Sequence, residues 1–379
     1  MEHMSHLLMG LLTGALFGIV LHKVGAIRYS RVEGMLLLRD LKIMKFAFMG
    51  IATASIIYGL ADIFGIAEQT NLIPRIMPYM GIAHVVGGFL FGIAMASAGF
   101  CPGTCVARVG AGKFISIAGV IGLILGILIY AMIQPWLVDV GILGTKEKIT
   151  LYGALGLPYG PLAVAWGVLF IIFALIADWL DPAKKIGYDQ PQGDSLAAKI
   201  IKGEWHWAIS GILAGSIIAW ATAQGEYLGF SGGALAFVGW ISHLIGHPLP
   251  IVPKVSPTIL WHAGLIIGVL PGAFLSAIIS GTFKFDPVVP PAFAKSVAPF
   301  PWVRLILVFF AGIFLALGAM IGGGCTTGAF LSAYPTLSVG SMAMSATYFA
   351  VGVLTANLIY FGRWSKFIQA KKESDAVYD

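Results

Sequence analysis

Three cysteines, Cys101, Cys105 and Cys325, are the only thiols in the 379-residue chain, and each falls where an apolar run breaks at glycine. The first break reads Ala98-Gly99-Phe100-Cys101-Pro102-Gly103-Thr104-Cys105, and the second Gly322-Gly323-Gly324-Cys325-Thr326-Thr327-Gly328. Glycine lets a helix end and lets other groups approach closely. Pro102 suits the first position of a new helix, which makes Cys101 its N-cap; Thr326 and Thr327 suit a helix start after Cys325. A helix N-terminus presents unpaired N–H groups and partial positive charge, which favour an anion and ease deprotonation of a thiol. Each break therefore predicts a thiol beside an anion-binding helix start. Arg108 either adds positive charge to the first site or carries its charge along an apolar stem to the surface. Cys105 follows Cys101 by one helical turn, with Cβ atoms about 5–6 Å apart, wider than the roughly 3.5–4.5 Å of a disulfide.

Other chemistries find less support. Three soft thiols admit a soft metal such as Cu(I), yet no Met-x-x-Met or His-rich tract accompanies them. His84, His243, His247 and His262 lack metal-ligand pairing and are expected to be satisfied locally. No metal and no cofactor is expected. Walker-type loops, a Ser-His-Asp order and acidic pairs are absent, which argues against ATP hydrolysis and hydrolytic chemistry.

The elements that must position these thiols are membrane helices. The chain is 58% hydrophobic and 11% charged, with mean hydropathy +0.91, whereas soluble domains carry about 25% charged residues. A span needs about 20 apolar residues, and apolar runs fall near 6–22, 46–66, 80–99, 114–134, 158–177, 206–224, 258–282, 304–323 and 337–361. The fold class expected is an all-α membrane protein of about nine spans. Shorter pieces at 27–43, 101–112, 229–246 and 325–335 look re-entrant, and polar linkers run over 178–205 and 283–303. With nine crossings, all 23 Lys and Arg residues except Arg75, Lys146, Lys148 and Lys254 share one side. The positive-inside rule makes that side cytoplasmic, with the N-terminus outside. The net charge of +6 is then a topological signal, and no nucleic-acid partner is expected.

The same order of parts occurs twice, over 6–134 and 206–361, joined by the span 158–177. Four spans and one linking span bring the second half in from the opposite face. Inverted repeats of this kind are frequent in transporters, whose sites lie at the repeat interface near the bilayer midplane.

At these residues the chain resembles the YeeE/YedE family of bacterial membrane proteins, associated with uptake of thiosulfate and other sulfur or selenium species. The resemblance rests on Gly87-Gly88-x-x-Phe91-Gly92 through Gly99-x-Cys101-x-Gly103, with Arg108, Gly110 and Gly112 behind it, and on Gly323-Gly324-Cys325-Thr326-Thr327-Gly328. It implies an hourglass-shaped bundle in a bacterial or archaeal inner membrane, its cysteines along a central path. Cys101 and Cys325 would be thiols that pass a small sulfur-containing anion along. Cys105, Gly99, Gly103, Gly324, Thr326, Gly328 and Arg108 complete the expected binding set. A small cytoplasmic sulfur-carrier protein is an expected partner. The family's thiosulfate transporters carry a further Cys in the N-terminal short segment; here Gly25 to Arg39 has none. A membrane sulfurtransferase holding a persulfide on Cys101 is the competing expectation, followed by transport of a selenium species or a soft metal.

Overall fold

The computed structural model describes residues 2–144, 146–183, 200–285 and 289–361. Most of the 178–205 linker, including Lys184, Lys185 and Lys199, lies outside the described residues, as do Arg363, Lys366, Lys371 and Lys372. In chain order the helices are α1 (Glu2–Lys23), α2 (Tyr29–Leu36), α3 (Lys42–Ile63), α4 (Ile82–Ala98), α5 (Pro102–Gly110), α6 (Ile115–Asp139), α7 (Leu151–Leu155) and α8 (Tyr159–Leu180). They continue with α9 (Trp207–Ala223), α10 (Phe230–Leu244), α11 (Pro257–Ile279), α12 (Pro291–Ser296), α13 (Pro301–Gly322), a π-helix at Thr326–Ser332 and α14 (Val339–Ile359). The protein is an all-helical membrane bundle, and every predicted apolar run is a helix.

Among the described residues eight segments are long and apolar enough to cross a membrane, α4 counted together with α5. The ninth expected crossing, 206–224, is α9, a helix of 17 residues. At about 1.5 Å per residue it spans about 26 Å, somewhat less than a hydrocarbon core of roughly 30 Å.

Small residues face inward and large ones outward, as expected where lipid is the solvent and close backbone contact holds helices together. Gly10, Gly14 and Gly18 of α1 meet Gly264, Gly268 and Gly272 of α11 so closely that a Cβ at Gly14 would sit 2.0 Å from the Leu265 carbonyl oxygen. Ile117, Ile121, Leu125 and Ile129 form an exposed stripe along α6, and Leu8, Leu12 and Leu16 another along α1. Such stripes repeat every four residues, one helical face, and among the described residues nothing covers them.

Packing is reciprocal between the halves. α1 lies along α11 and α3 along α9; α4 lies along α14 and α6 along α13, while α4 and α13 pack on each other. α8 attaches chiefly to α3.

The loops gather at two faces. On one, Lys23 reaches the Ile201 carbonyl and Ser280, and Glu204 binds Arg28, Arg31 and Lys42 at 2.9, 3.1 and 2.7 Å. Burial alone would raise the Glu204 carboxyl; the three cations overrule it and hold it far below the usual carboxylate range. On the opposite face, Tyr79 pairs with Glu147 and Thr150 with Ser338. The loops thus fall into two sets, each meeting its own members.

Candidate functional site

Both cysteine breaks are built alike. α4 ends at Gly99 with φ +69° and α13 at Gly323 with φ +86°, both left-handed caps that glycine adopts freely. Two residues later the chain is extended at Cys101 (φ −106°, ψ 173°) and at Cys325 (φ −97°, ψ −175°), and each cysteine is the N-cap of the next helix. Cys105 N donates to the Cys101 carbonyl at 2.8 Å, and Ala329 N to the Cys325 carbonyl at 2.7 Å. The predicted helix starts are present; the second is a π-turn rather than an α-helix, a form found often at functional sites.

Thr104 closes the first cap: its hydroxyl accepts from Cys101 N at 2.8 Å and lies 3.4 Å from the thiol. Thr326 and Thr327 of the second break line the same cavity as Cys101 and Thr104 of the first. The two breaks therefore meet. Cys101 is half-buried, Cys325 buried.

Glycine brings the walls in. A Cβ at Gly103 would fall 2.1 Å from the ring of Phe230 at the start of α10, and one at Gly328 3.5 Å from Gly229. Both breaks thus abut the start of α10, with no room for a side chain at Gly103.

Two cavities border these breaks. One, of about 70 Å³, is lined by Cys101, Thr104, Thr326 and Thr327 together with apolar groups of α1 to α3 such as Val32, Met35 and Ala47. The other, of about 250 Å³, is lined by Gly323, Gly324, Gly328 and Ser332 and by Arg75, Lys146 and Tyr227. Arg75 lies 4.2 Å from the centre of the Tyr227 ring. Two basic residues, Arg75 and Lys146, thus line one cavity. They come from separate loops, and only the fold joins them.

Of the three thiols only Cys101 lines a cavity; Cys325 and Cys105 are both fully buried, Cys325 between the cavity-lining Gly324 and Thr326, and Cys105 with its Sγ 3.4 Å from the Ser116 carbonyl on α6. Arg108 is buried rather than extended to the surface: it donates to the Gly99 carbonyl at 3.4 Å and lies over the Phe100 ring. Arg304 donates to the Ser97 carbonyl at 3.2 Å and to that of Ala98. Two guanidiniums therefore cap the C-terminus of α4, where helix carbonyls lack partners. His84 receives Met80 N at 2.9 Å and bonds the Gly322 carbonyl at 2.9 Å, tying α4 to the end of α13. His243 and His262 bond backbone carbonyls. Among the described residues no cluster of His, Cys, Asp or Glu has the grouping of a metal site.

Comparison with known proteins agrees with this architecture. A family profile described as sulphur transport matches residues 28–355. The chain is 27% identical over 375 residues to the thiosulfate transporter TsuA of Spirochaeta thermophila, covering 93% of this chain and 99% of that one. It is 21% identical over 334 residues to the thiosulfate transporter TsuA of Escherichia coli, covering 86% of each. The profile spans both cysteine breaks and every helix between them, and the chain belongs to the sulphur-transport family, whose YeeE/YedE members it resembles at Cys101 and Cys325.

Proposed function

We propose that this protein takes up a small sulfur-containing anion, thiosulfate in the first instance, along a path that runs from the cationic cavity, past Cys325 and Cys101, into the smaller cavity. The observation that carries this reading is the junction itself. Two thiol-capped helix starts meet at two cavities: Cys101, Thr104, Thr326 and Thr327 line the smaller, and Gly324 and Gly328 beside Cys325 line the larger. Arg75 and Lys146 give the larger cavity the charge that concentrates an anion. A thiol offers sulfur a soft contact, and the amides at the start of α5 favour negative charge. The anion makes and breaks hydrogen bonds only, so each thiol is unchanged after passage.

On this reading the basic face is cytoplasmic, in a bacterial or archaeal inner membrane, and the reciprocal helix packing is that of two inverted repeats, 6–134 and 206–361, about the linking span 158–177. On the same reading the bundle is hourglass-like, its junction separating the cavities. A small sulfur-carrier protein on the basic face is the expected acceptor. Gly99, Gly103, Gly324 and Gly328 shape the path. Arg108 positions the Gly99 turn, and Cys105 holds α5 to α6.

Uptake into proteoliposomes tests the reading across thiosulfate, sulfite, sulfide and selenite. Thiosulfate is expected to enter fastest, with the others competing weakly. Absence of net thiosulfate entry, together with a sulfur adduct on Cys101 by mass spectrometry, would replace transport with a membrane sulfurtransferase.

A further inference from the structure

A carboxyl group lies buried beside the Cys101 turn. Glu33 of α2 is fully enclosed, and neither of its oxygens has a hydrogen-bond partner. Its Oε1 would stand 3.3 Å from a Cβ placed on Gly99, so it touches the turn that delivers Cys101. An ionised carboxylate out of water and without donors is costly, and a carboxyl so placed normally holds a proton or a partner.

Every charged neighbour is otherwise engaged. Arg304 from α13 and Arg108 from α5 lie within electrostatic reach of Glu33, but both donate to the terminal carbonyls of α4. Tyr29, one turn earlier on α2, pairs its hydroxyl with that of Tyr360 at the end of α14. On α2 itself Arg31 binds Asp40 and Glu204. On α3, Lys42 binds Glu204, and Lys45 binds Asp178 and Asp181. The cluster holds two cations bonded to the α4 carbonyls and one carboxyl without a hydrogen-bond partner.

We propose that Glu33 is a proton-binding site coupled to anion passage, which makes the protein a proton–anion symporter. This rests on the transport reading above. A dianion entering a negative interior moves two charges against the membrane potential, and the field opposes it. A proton taken from the outer solution by the Glu33 carboxylate and released inside halves the charge moved per cycle. Coupling follows from proximity: the protonated acid removes a negative charge beside the Cys101 turn and strengthens anion binding there, and by linkage the bound anion strengthens proton binding equally. No covalent bond to sulfur forms, and the proton alone changes place between water, carboxyl and water.

The test uses the full chain in proteoliposomes, with thiosulfate as the probe. For the native protein, each pH unit of inward gradient is expected to raise the thiosulfate accumulation ratio about tenfold, the equilibrium worth of one coupled proton. Thiosulfate added outside is expected to acidify the lumen. In Glu33→Gln, which mimics the protonated acid, accumulation is expected to ignore the gradient, and the pH dependence of thiosulfate binding in detergent is expected to vanish, with Glu33→Asp restoring part of it. Glu33→Gln responding to the gradient as the native protein does would overturn the proposal. If that variant cannot be purified, the native protein decides: uptake without luminal acidification overturns it, and uptake with acidification supports it. A native protein that admits no thiosulfate at all refutes the transport reading itself, and coupling with it.

Discussion

Replacing Cys325 by alanine is expected to lower thiosulfate uptake about 10- to 100-fold with protein levels unchanged, and Cys101→Ala to do the same. The magnitude follows from losing one hydrogen bond to a charged group, worth about 1.5–3 kcal/mol. On the proposed path the two thiols act in sequence, so the double variant is expected to be little worse than either single one; residues acting as a unit are not additive. Cys105→Ser separates position from thiol chemistry as such. Its side chain meets the Ser116 carbonyl and no cavity, and near-native uptake is expected. Rates in reconstituted vesicles, normalised to inserted protein, give all four results. Uptake indifferent to both Cys101 and Cys325 would remove the thiols from the path.

The second large effect concerns the scaffold. Gly268→Leu is expected to prevent recovery of monodisperse protein, because a Cβ at Gly268 would lie 2.1 Å from the backbone carbonyl oxygen of Leu11. A flexible side chain could swing aside; a helix backbone must translate and give up the whole α1–α11 seam. Ordinary overpacking costs about 1–3 kcal/mol, and this substitution is expected to exceed that. Gly144→Leu is the control: nothing lies within 4 Å of a Cβ there, and its thermal unfolding is expected to match the native protein. Size-exclusion profiles and unfolding midpoints in detergent decide between them.

Much of this was legible in the amino-acid order because the membrane makes hydropathy a direct record of the spans. The apolar runs appear as helices, and the four short pieces appear as α2, α5, α10 and the π-helix. Gly99 and Gly323 marked helix ends, and Pro102 marked a start. Cys105 was harder to place. Spacing of four residues puts two side chains on one face only if both are helical, and Cys101 is extended at its N-cap position. One turn nonetheless separates them, closed by the bond from Cys105 N to the Cys101 carbonyl. Arg304 read as one more basic residue at a span end, yet it is buried against the end of α4, a contact across more than two hundred positions of chain. Glu33 gave no signal either, since its surroundings come from α5, α13 and the end of α14. Arg75 and Lys146 were visible as the exceptions on the sparse side; that they share a cavity emerged from the fold.

The central claim is that the anion passes between Cys101 and Cys325, and joining those two thiols tests it most directly. In a Cys105→Ser background, a short bifunctional methanethiosulfonate should bridge them, the bridge verified by intact mass. Thiosulfate uptake is predicted to stop when the bridge forms and to return to its starting rate when dithiothreitol removes it. Undiminished uptake through fully bridged protein would contradict the account.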